Sequence, residues 1–404
     1  MVPLLQGYRI IDVTAVILGP YATQILGDLG ADVIKVEPLD GDSMRVVEPV
    51  GGPGVTALYA NNNRNKRSIT LDLKHPEGKA VLRRLIGSAD ALVHNMRQDA
   101  FDRLGFSVEA VCALNPGLVY CAAVGFGSDG PYAGRPAYDD VIQAMSGFAG
   151  LCAMRDGAPA LAPSIIADKI VGLHLVYAVL AALLHRERNG GRGTAIEVPM
   201  FESMVAFNMN EHLDRATFEV DGTMGYARAL APQRKPYRTA DGWMAALPYT
   251  LAHWQRTLAV IGRHDLVDAD WLKDGGQRNL RAPELYELLK AALIGRTTLE
   301  WLAVFEAIDV PCGRVNSPND LLTDPHLAAV GMFDATFNAE TVVRRTLRQS
   351  VNFATLEAAK DRPPPPLGAD TSEVLRGAGF TDAEIEALDQ NGVTRSRQTI
   401  AIVR

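Results

Sequence analysis

The stretch that decides the fold is YRIIDVTAVILGPYATQILGDLGADVIKVE, which runs from Tyr8 to Glu37. Tyr8–Val13 and Asp32–Glu37 are short runs that contain several Ile and Val residues, which predicts two strands, the first of them buried. Between them, a turn at Gly19-Pro20 precedes a helix pattern that ends at Gly30. Strand, helix and strand within roughly 30 residues are typical of a βαβ unit, so we predict a parallel sheet.

The same alternation continues along the chain, with further strands and helices in turn. The segment Asp40–Asn65 interrupts it and is rich in Gly, Pro and Asn, so we predict a long loop of the kind that usually has a function. The predicted strands that follow are Ser68–Leu73, Ala91–His94, Leu118–Val124 and Thr194–Val198. The chain is therefore predicted to be an α/β protein.

Length and composition limit the class of protein. A chain of 404 residues is long for one hydrophobic core, so we expect two domains. All four tryptophans lie between Tyr226 and Phe333, which favours a separately packed domain in that region. The net charge of -7 argues against a nucleic-acid partner, whose binding surface would be basic.

The cysteines and the N-terminal residues bear on location. The four cysteines are far apart and form no C-x-x-C pair, which indicates reduced thiols in a cytoplasm rather than disulfides or a zinc site. The first residues, MVPLLQG, lack the basic and apolar regions of a signal peptide. The most apolar helix pattern has an apolar part of about 15 residues, which is short for a membrane span. We therefore expect a cytoplasmic protein with no membrane partner.

That apolar pattern, Ala162–Glu187, has one carboxylate near its beginning, Asp168, and no other before its last residue. We predict a buried helix that ends with a basic cluster and the pair Gly190-Gly191. Two interpretations of Asp168 stay open. Asp is a preferred N-cap residue, and the pattern alone favours that structural role. The alternative is a positioned, reactive carboxylate.

A glycine-rich segment, GFGSDG at Gly125–Gly130, matches the dinucleotide pattern G-x-G-x-x-G directly after a predicted strand. That pattern requires a helix to begin at the third glycine and an acidic residue about 20 positions later. Here PYAGRP follows Gly130, and the window near position 150 is FAGLCA. We therefore interpret the segment as a rigid loop close to a ligand rather than as a nicotinamide site.

Seven segments, in order along the chain, resemble one family: DVTAVILGP (Asp12–Pro20), GADVIKVEP (Gly30–Pro38), NKRSITLDLK (Asn65–Lys74), GFGSDGPY (Gly125–Tyr132), YDDVIQAMSG (Tyr138–Gly147), PYRTADG (Pro236–Gly242) and VPCGRV (Val310–Val315). They are similar to the class III CoA-transferases of the CaiB/BaiF type, which include formyl-CoA:oxalate and carnitine CoA-transferases. The resemblance runs nearly from end to end.

The resemblance implies a Rossmann-like large domain built from N- and C-terminal parts, with a smaller α+β domain inserted between them. The corresponding ranges are 1–222 for the N-terminal part, 223–333 for the small domain, and 334–404 for a linker and the C-terminal part. Members of the family form interlocked, ring-like homodimers, and the connectors Asp40–Asn65 and Asn338–Pro366 would suit that shape.

The resemblance also places the family's nucleophilic aspartate on Asp168 and implies CoA transfer through aspartyl mixed-anhydride and aspartyl-CoA thioester intermediates. Coenzyme A and acyl-CoA would be substrates, with no permanently bound cofactor and no metal. By position in the family, the residues that would bind CoA are Val16, Ile17, Leu18, Leu71, Asp72, Leu73, Lys74, Asn95, Met96, Arg97, Arg103, Ala137, Tyr138 and Asp139.

Some positions depart from the family. Ile17 stands where the oxalate enzymes have glutamine, and the run of glycines that closes over their active site is missing between Gly222 and Trp243. These differences disfavour oxalate and favour a larger or less polar acid. Pro38 and Pro136 replace basic CoA contacts, for which Arg135 or Arg45 would compensate.

Two other functions are compatible with part of this sequence. The alternative enzyme is an α-methylacyl-CoA racemase-like isomerase, whose histidine position is occupied here by Tyr138, a poor base with an ordinary pKa of about 10. A CoA-binding protein without catalysis is disfavoured because Asp168 is present. Neither the donor nor the acceptor acid follows from the sequence.

Overall fold

The computed structural model describes residues 1–47, 55–333 and 345–396. The chain forms two compact units. The first comprises Met1–Ser146, Ala162–Phe207 and Ala329–Arg404, and the second comprises Gly147–Leu161 and Asn208–Ala328. The second unit thus includes residues 147–161 and 208–222, which the sequence interpretation assigned to the large domain.

Nine strands lie within the described residues: β1 (Arg9–Val13), β2 (Asp32–Glu37), β3 (Lys66–Thr70), β4 (Ala91–His94), β5 (Val119–Val124), β6 (Ala195–Pro199), β7 (Tyr237–Arg238), β8 (Trp243–Ala246) and β9 (Cys312–Arg314). The helices are α1 (Leu18–Asp28), α2 (Ala57–Asn62), α3 (Pro76–Ile86), α4 (Gln98–Arg103), α5 (Val108–Leu114), α6 (Asp139–Met145), α7 (Phe148–Asp156), α8 (Ile166–Arg188), α9 (Met200–His212), α10 (Leu251–Val260), α11 (Asp270–Lys273), α12 (Gly275–Leu280), α13 (Ala282–Leu293), α14 (Thr298–Ala307), α15 (Pro325–Ala329), α16 (Thr371–Gly377) and α17 (Asp382–Gln390).

The predicted parallel sheet is confirmed. Six strands pair in the order β3-β2-β1-β4-β5-β6, and every pair is parallel. The strand order reverses between β1 and β4, because β2 and β3 lie on one side of β1 and the later strands lie on the other. In open α/β sheets, ligands bind beside the carboxyl ends of the strands at such a reversal.

Alternate side chains of the four central strands, β1, β2, β4 and β5, enter two different hydrophobic cores. On one face, Ile10 and Val33 pack with residues of α1 and α8. On the other face, Ile11 and Ile34 pack with residues of α3, α16 and α17. The period of two in a strand explains this division, and it gives three layers with the sheet between helices.

Strand β3 begins at Lys66, two residues before the predicted start at Ser68. Lys66 is buried although it is charged, because its Nζ lies 3.0 Å from Asp12 Oδ2 and also donates to the carbonyl of Pro20. An ion pair with a residue far away in the sequence allows Lys66 to be part of a buried strand, and the local sequence gives no sign of that pair. This is why the start of β3 was predicted two residues too late.

The second unit has a core of its own. β7, β8 and β9 form an antiparallel sheet of three strands. Trp254 and Trp301 are buried in its core together with side chains of α13, and the indole N–H of Trp301 donates to the carbonyl of Leu293 at 2.9 Å. The clustered tryptophans thus pack within one unit.

Helix α8 is 23 residues long and is, by length and composition alone, the one helix among the described residues that is able to cross a membrane. Half of its most apolar window is buried, and it packs on α1, β5 and β6, as a core helix does. The helix was predicted to be buried, and this holds for one of its faces. On another side, Leu173, Tyr177 and Leu184 are each at least 50% exposed.

Candidate active site

A cavity of about 610 Å³ lies beside the carboxyl ends of β1, β4 and β5. Ala15 and Val16 follow β1, residues 95–99 follow β4, and Gly125 and Phe126 follow β5, and all of them line it. This is where the strand order reverses, so the position of the cavity follows from the topology of the sheet. Asp168 is part of the same lining.

Asp168 is the third residue of α8, and the N-cap residue is Ile165, which makes no side-chain cap. The interpretation of Asp168 as the N-cap is therefore wrong. The backbone N–H of Asp168 is one of the groups that a helix leaves without an internal partner, and it donates to Asp139 Oδ2 at 3.0 Å. Asp139 thus caps α8 from another helix and leaves the Asp168 carboxylate available.

A glycine brings this carboxylate to the beginning of α1. Gly172 lies one turn after Asp168, and a Cβ atom there would be 3.0 Å from the carbonyl of Leu18 and 3.0 Å from Tyr21. Because position 172 has no side chain, α8 packs closely on α1. The backbone of Leu18, the first residue of α1, forms a hydrogen bond with the Asp168 carboxylate. The nucleophile candidate therefore lies at the positive ends of two helices.

The charge state of Asp168 is set by its surroundings. Burial and the neighbouring carboxylate of Asp139 raise the pKa of Asp168 to about 7, and the hydrogen bond from Leu18 opposes them. The side chain is 8% exposed. A carboxylate with weak solvation and no neutralising cation is a stronger nucleophile than an ordinary aspartate once it is ionised.

Gln143 holds Asp139 in place. It is completely buried, and its amide nitrogen donates to Asp139 Oδ1. Its amide oxygen accepts the backbone N–H of Ala162 at 2.8 Å, which is in the segment leading to α8. One side chain therefore joins α6 to the residues before Asp168.

The glycine loop packs closely against neighbouring side chains, which leaves no room for a Cβ atom at two of its positions. A Cβ atom on Gly125 would lie 2.4 Å from that of Ala137, and one on Gly127 would lie 2.8 Å from Glu202 Oε1. Glu202 accepts the N–H of Gly127 at 2.9 Å. The next helix, α6, begins at Asp139 and not at Gly130, so the sequence interpretation of a loop rather than a nicotinamide motif is confirmed.

The residues predicted to bind CoA fall into two groups. The cavity lining includes Val16, Leu18, Asn95, Met96, Arg97, Ala137 and Tyr138. The others lie outside that lining: Ile17, which is buried, Leu71, Asp72, Leu73 and Lys74, which follow the edge strand β3, Arg103, which pairs with Asp99 at 2.7 Å, and Asp139, which bonds Asp168.

Two details of the site differ from the sequence interpretation or were not foreseen, and a third agrees with it. Arg45 does not compensate for a missing CoA contact, because it is 3% exposed and bonds Glu37 and Tyr59. Arg135 does line the cavity, where it stacks on Tyr132. Glu197 also lines it and accepts the N–H of Ser128 at 2.9 Å, for which the sequence offered no signal beyond its position at a strand end.

Known proteins resemble this chain along its length. The family model of CoA-transferase family III matches residues 5–371. A succinate–glutarate CoA-transferase of Agrobacterium fabrum is 32% identical over 96% of this chain and 97% of its own. A formyl-CoA:oxalate CoA-transferase of Escherichia coli is also 32% identical, over 96% and 98%.

A solved structure agrees with these relatives. A CaiB/BaiF family protein from Brucella suis superposes with a TM-score of 0.79, at 29% identity, and covers 94% of this chain and 100% of its own. Its fold therefore matches both the sheet and the surrounding helices. With a cavity at the strand reversal and a family match over most of its residues, the chain belongs to CoA-transferase family III and is a family III CoA-transferase.

Proposed function

We propose that Asp168 is the nucleophile that carries CoA from a donor acyl-CoA to an acceptor carboxylate. The observation that carries this proposal is its place in the cavity lining, with the pKa raised to about 7 and a backbone hydrogen bond from Leu18. At neutral pH a large fraction of such a carboxylate is ionised and poorly solvated, as a nucleophile requires.

The proposed reaction has four covalent steps. Asp168 attacks the thioester carbonyl, the C–S bond breaks, and a mixed anhydride and the CoA thiolate result. The thiolate then attacks the aspartyl carbonyl, which releases the donor carboxylate and leaves an aspartyl-CoA thioester. The acceptor carboxylate and the thiolate repeat these steps in reverse, so that a new acyl-CoA leaves and Asp168 is restored. Each intermediate keeps an activated acyl group, so no external energy source is needed.

The backbone N–H groups at the beginning of α1 support this chemistry. The first N–H groups of a helix have no partners within the helix, and in α1 the N-cap residue Ile17 offers them no side-chain acceptor. We propose that Leu18 and its neighbours stabilise the oxyanion formed when the aspartyl or thioester carbonyl is attacked. Such donors contribute most where water is excluded.

The substrates are proposed from the relatives and from position 17. The Agrobacterium relative is named for succinate and glutarate, and a relative from Mycobacterium tuberculosis, 31% identical, is named a probable fatty acyl-CoA transferase. Ile17 supplies no hydrogen bond of the kind a small diacid would use. We propose an acid that is larger or less polar than oxalate.

The proposed mechanism is tested by intact-protein mass spectrometry. The protein is incubated with acetyl-CoA, butyryl-CoA, succinyl-CoA and palmitoyl-CoA, with and without hydroxylamine. We expect a CoA-sized adduct that hydroxylamine removes, and no adduct with the Asp168→Asn variant. Asp140→Asn is the matched control, because Asp140 is an exposed carboxylate next to Asp139 and should behave as the wild type does.

Absence of an adduct in the wild type would contradict the mechanism. If solvent deuterium then entered the α-carbon of a branched acyl-CoA, the racemase-like alternative would replace it. Adducts that persist in Asp168→Asn would place the nucleophile elsewhere.

We also propose a homodimer. Leu173, Tyr177 and Leu184 recur along one side of α8 and are exposed, and Phe207 in α9 is 52% exposed. Exposed apolar surface of this kind is typical of subunit interfaces. Sedimentation of the wild type and of Tyr177→Asp tests the proposal, and a wild type that sediments as a monomer would overturn it.

The interlocked form of that dimer rests on the family resemblance alone, and part of both predicted connectors lies outside the described residues. A cytoplasmic location is likewise a proposal. It is supported by the four cysteines, which are all free, as expected where thiols stay reduced.

A further inference from the structure

The turn between β1 and α1 contains a residue in an unfavourable backbone conformation. Val16 has a φ of 72°, in the left-handed region that β-branched residues rarely adopt. It lines the cavity and lies two residues before Leu18, whose backbone bonds Asp168. Such a conformation persists only where neighbouring groups hold it, and it is often found at functional sites.

Three side chains, those of Asn95, Lys35 and Asp42, hold this turn by its backbone. Asn95 Oδ1 accepts the N–H of Ala15 at 3.0 Å, and Asn95 Nδ2 donates to the carbonyl of Ala15 at 2.8 Å. The ammonium of Lys35 donates to the carbonyl of Thr14 at 2.9 Å. The strained residue itself is held by Asp42, whose Oδ1 accepts the N–H of Val16 at 3.3 Å.

Asp42 is fixed in turn by its own surroundings. Its Oδ1 also accepts the N–H of Met44 at 3.0 Å, and its Oδ2 accepts Lys35 Nζ at 3.0 Å. Its backbone N–H donates to Glu37 at 3.0 Å, and the residue is 3% exposed. Both carboxylate oxygens are thus engaged, and Asp42 lies outside the lining of the cavity.

We propose that Asp42 is a positioning residue for Asp168. It holds Val16 in the left-handed conformation, and this aims the N–H groups at the beginning of α1 at the Asp168 carboxylate. The role rests on the proposed function, in which Asp168 is the nucleophile. It concerns the rate of the covalent step and not the binding of acyl-CoA, because Asp42 does not line the cavity.

The test compares the rate of adduct formation in Asp42→Asn with the wild-type rate. A carboxamide has one oxygen, which should face the Lys35 ammonium, so the N–H of Val16 loses its acceptor. The donor is whichever of butyryl-CoA, succinyl-CoA and palmitoyl-CoA reacts fastest with the wild type. We expect the maximum rate to fall about tenfold or more, while the half-saturating concentration changes less than about threefold.

Asp40→Asn is the matched control. Asp40 is in the same loop, loses the same charge and is almost fully exposed, so both constants should stay at their wild-type values. Circular dichroism and thermal unfolding establish that each variant is folded.

A second variant separates positioning from a general structural effect. Glycine adopts a φ near 72° without strain, so Val16→Gly should make the hold of Asp42 dispensable. We expect Asp42→Asn to reduce the rate much less in the Val16→Gly background than in the wild-type background. Equal losses in both backgrounds, or a normal rate in Asp42→Asn, would overturn the positioning role alone. A wild type that forms no adduct would overturn the role and the proposed function together.

Discussion

Two buried carboxylates on the same side of the sheet have opposite properties. Asp12 is completely buried, and although burial raises its pKa, the ammonium groups of Lys66 and Lys35 lower that pKa to about 2. Asp168 is almost as deeply buried, but the charge that acts on it is the like charge of Asp139, and burial together with this charge raises its pKa to about 7. Burial is similar in the two regions. The charge of the neighbouring side chains therefore decides whether the carboxylate forms a structural ion pair, as Asp12 does, or stays available for reaction, as Asp168 does.

Asp12 and the ammonium groups of Lys66 and Lys35 form an ionic cluster whose members are charged at neutral pH. Burial lowers the pKa of Lys66 to about 8, against the opposing attraction of Asp12, so the ammonium persists at neutral pH. Thr14 and Thr23 donate to the two oxygens of Asp12. Every charge in this region is paired, as buried ions require.

The largest expected effect is a loss of stability when the carboxylate of Asp12 is removed. Asp12→Asn leaves the buried ammonium of Lys66 without its carboxylate partner, and we expect it to reduce the free energy of unfolding by about 3–5 kcal/mol. Urea denaturation near neutral pH measures this change. The control is Asp32→Asn, which removes a partly exposed partner of Arg9 and Arg67 and should cost no more than about 1 kcal/mol. Equal effects of the two variants would contradict the distinction.

A smaller effect of opposite sign is expected at Asp168. Its folded-state pKa of about 7 lies above the ordinary value, so the folded protein holds a proton that the unfolded chain has lost. The stability contributed by the protonated form is therefore lost as pH rises from about 4 through about 7. At about pH 8, Asp168→Asn should be more stable than the wild type by roughly 1–3 kcal/mol.

The two carboxylates should respond to pH in separate windows. The contribution of Asp12, whose pKa is lowered, is present above about pH 4 and is lost as pH falls toward about 2. Thermal unfolding of Asp168→Asn and the wild type from about pH 4 to 8 checks the first window. Stability curves that stay parallel over that range would show that Asp168 is not destabilised by its surroundings.

The smallest expected effect concerns the rate. Adduct formation in the wild type should increase with pH around a midpoint of about 7, as Asp168 ionises. Asp139→Asn removes the like charge beside Asp168, so we expect the midpoint to move to lower pH. Asp140→Asn should leave it unchanged. A midpoint unaffected by Asp139→Asn would mean that burial alone sets the pKa of Asp168.

The sequence predicted the framework of the fold because that framework has local signals. Asp32–Glu37 and Ala91–His94 were predicted with the bounds observed, since each is a short run in which apolar side chains recur. The start of β3 and the N-cap of α8 were missed. Both depend on partners distant in sequence, namely Asp12 for Lys66 and Asp139 for Asp168.

The candidate site was only partly predictable for the same reason. The family resemblance identified Asp168, but the charges and N–H groups around it follow from packing. Arg45 looked like a free cation in a loop, yet it is buried against Glu37. Likewise, nothing local to Asp42 or Val16 indicates that the two residues meet across 26 positions.

The hydrogen bonds between β3 and the C-terminal part of the chain have a consequence for biosynthesis. Ser68 and Thr70 bond residues about 300 positions later: the N–H of Ser68 donates to Asp370 at 2.8 Å, and the hydroxyl of Thr70 donates to the carbonyl of Arg395 at 3.0 Å. At a synthesis rate of roughly 5–20 residues per second, the ribosome needs about 15–60 seconds to supply those partners. Until then the core of α3 and β3 lacks Val374 and Leu375, so the nascent chain presents apolar surface to chaperones, and truncation before α16 should prevent that half of the sheet from closing.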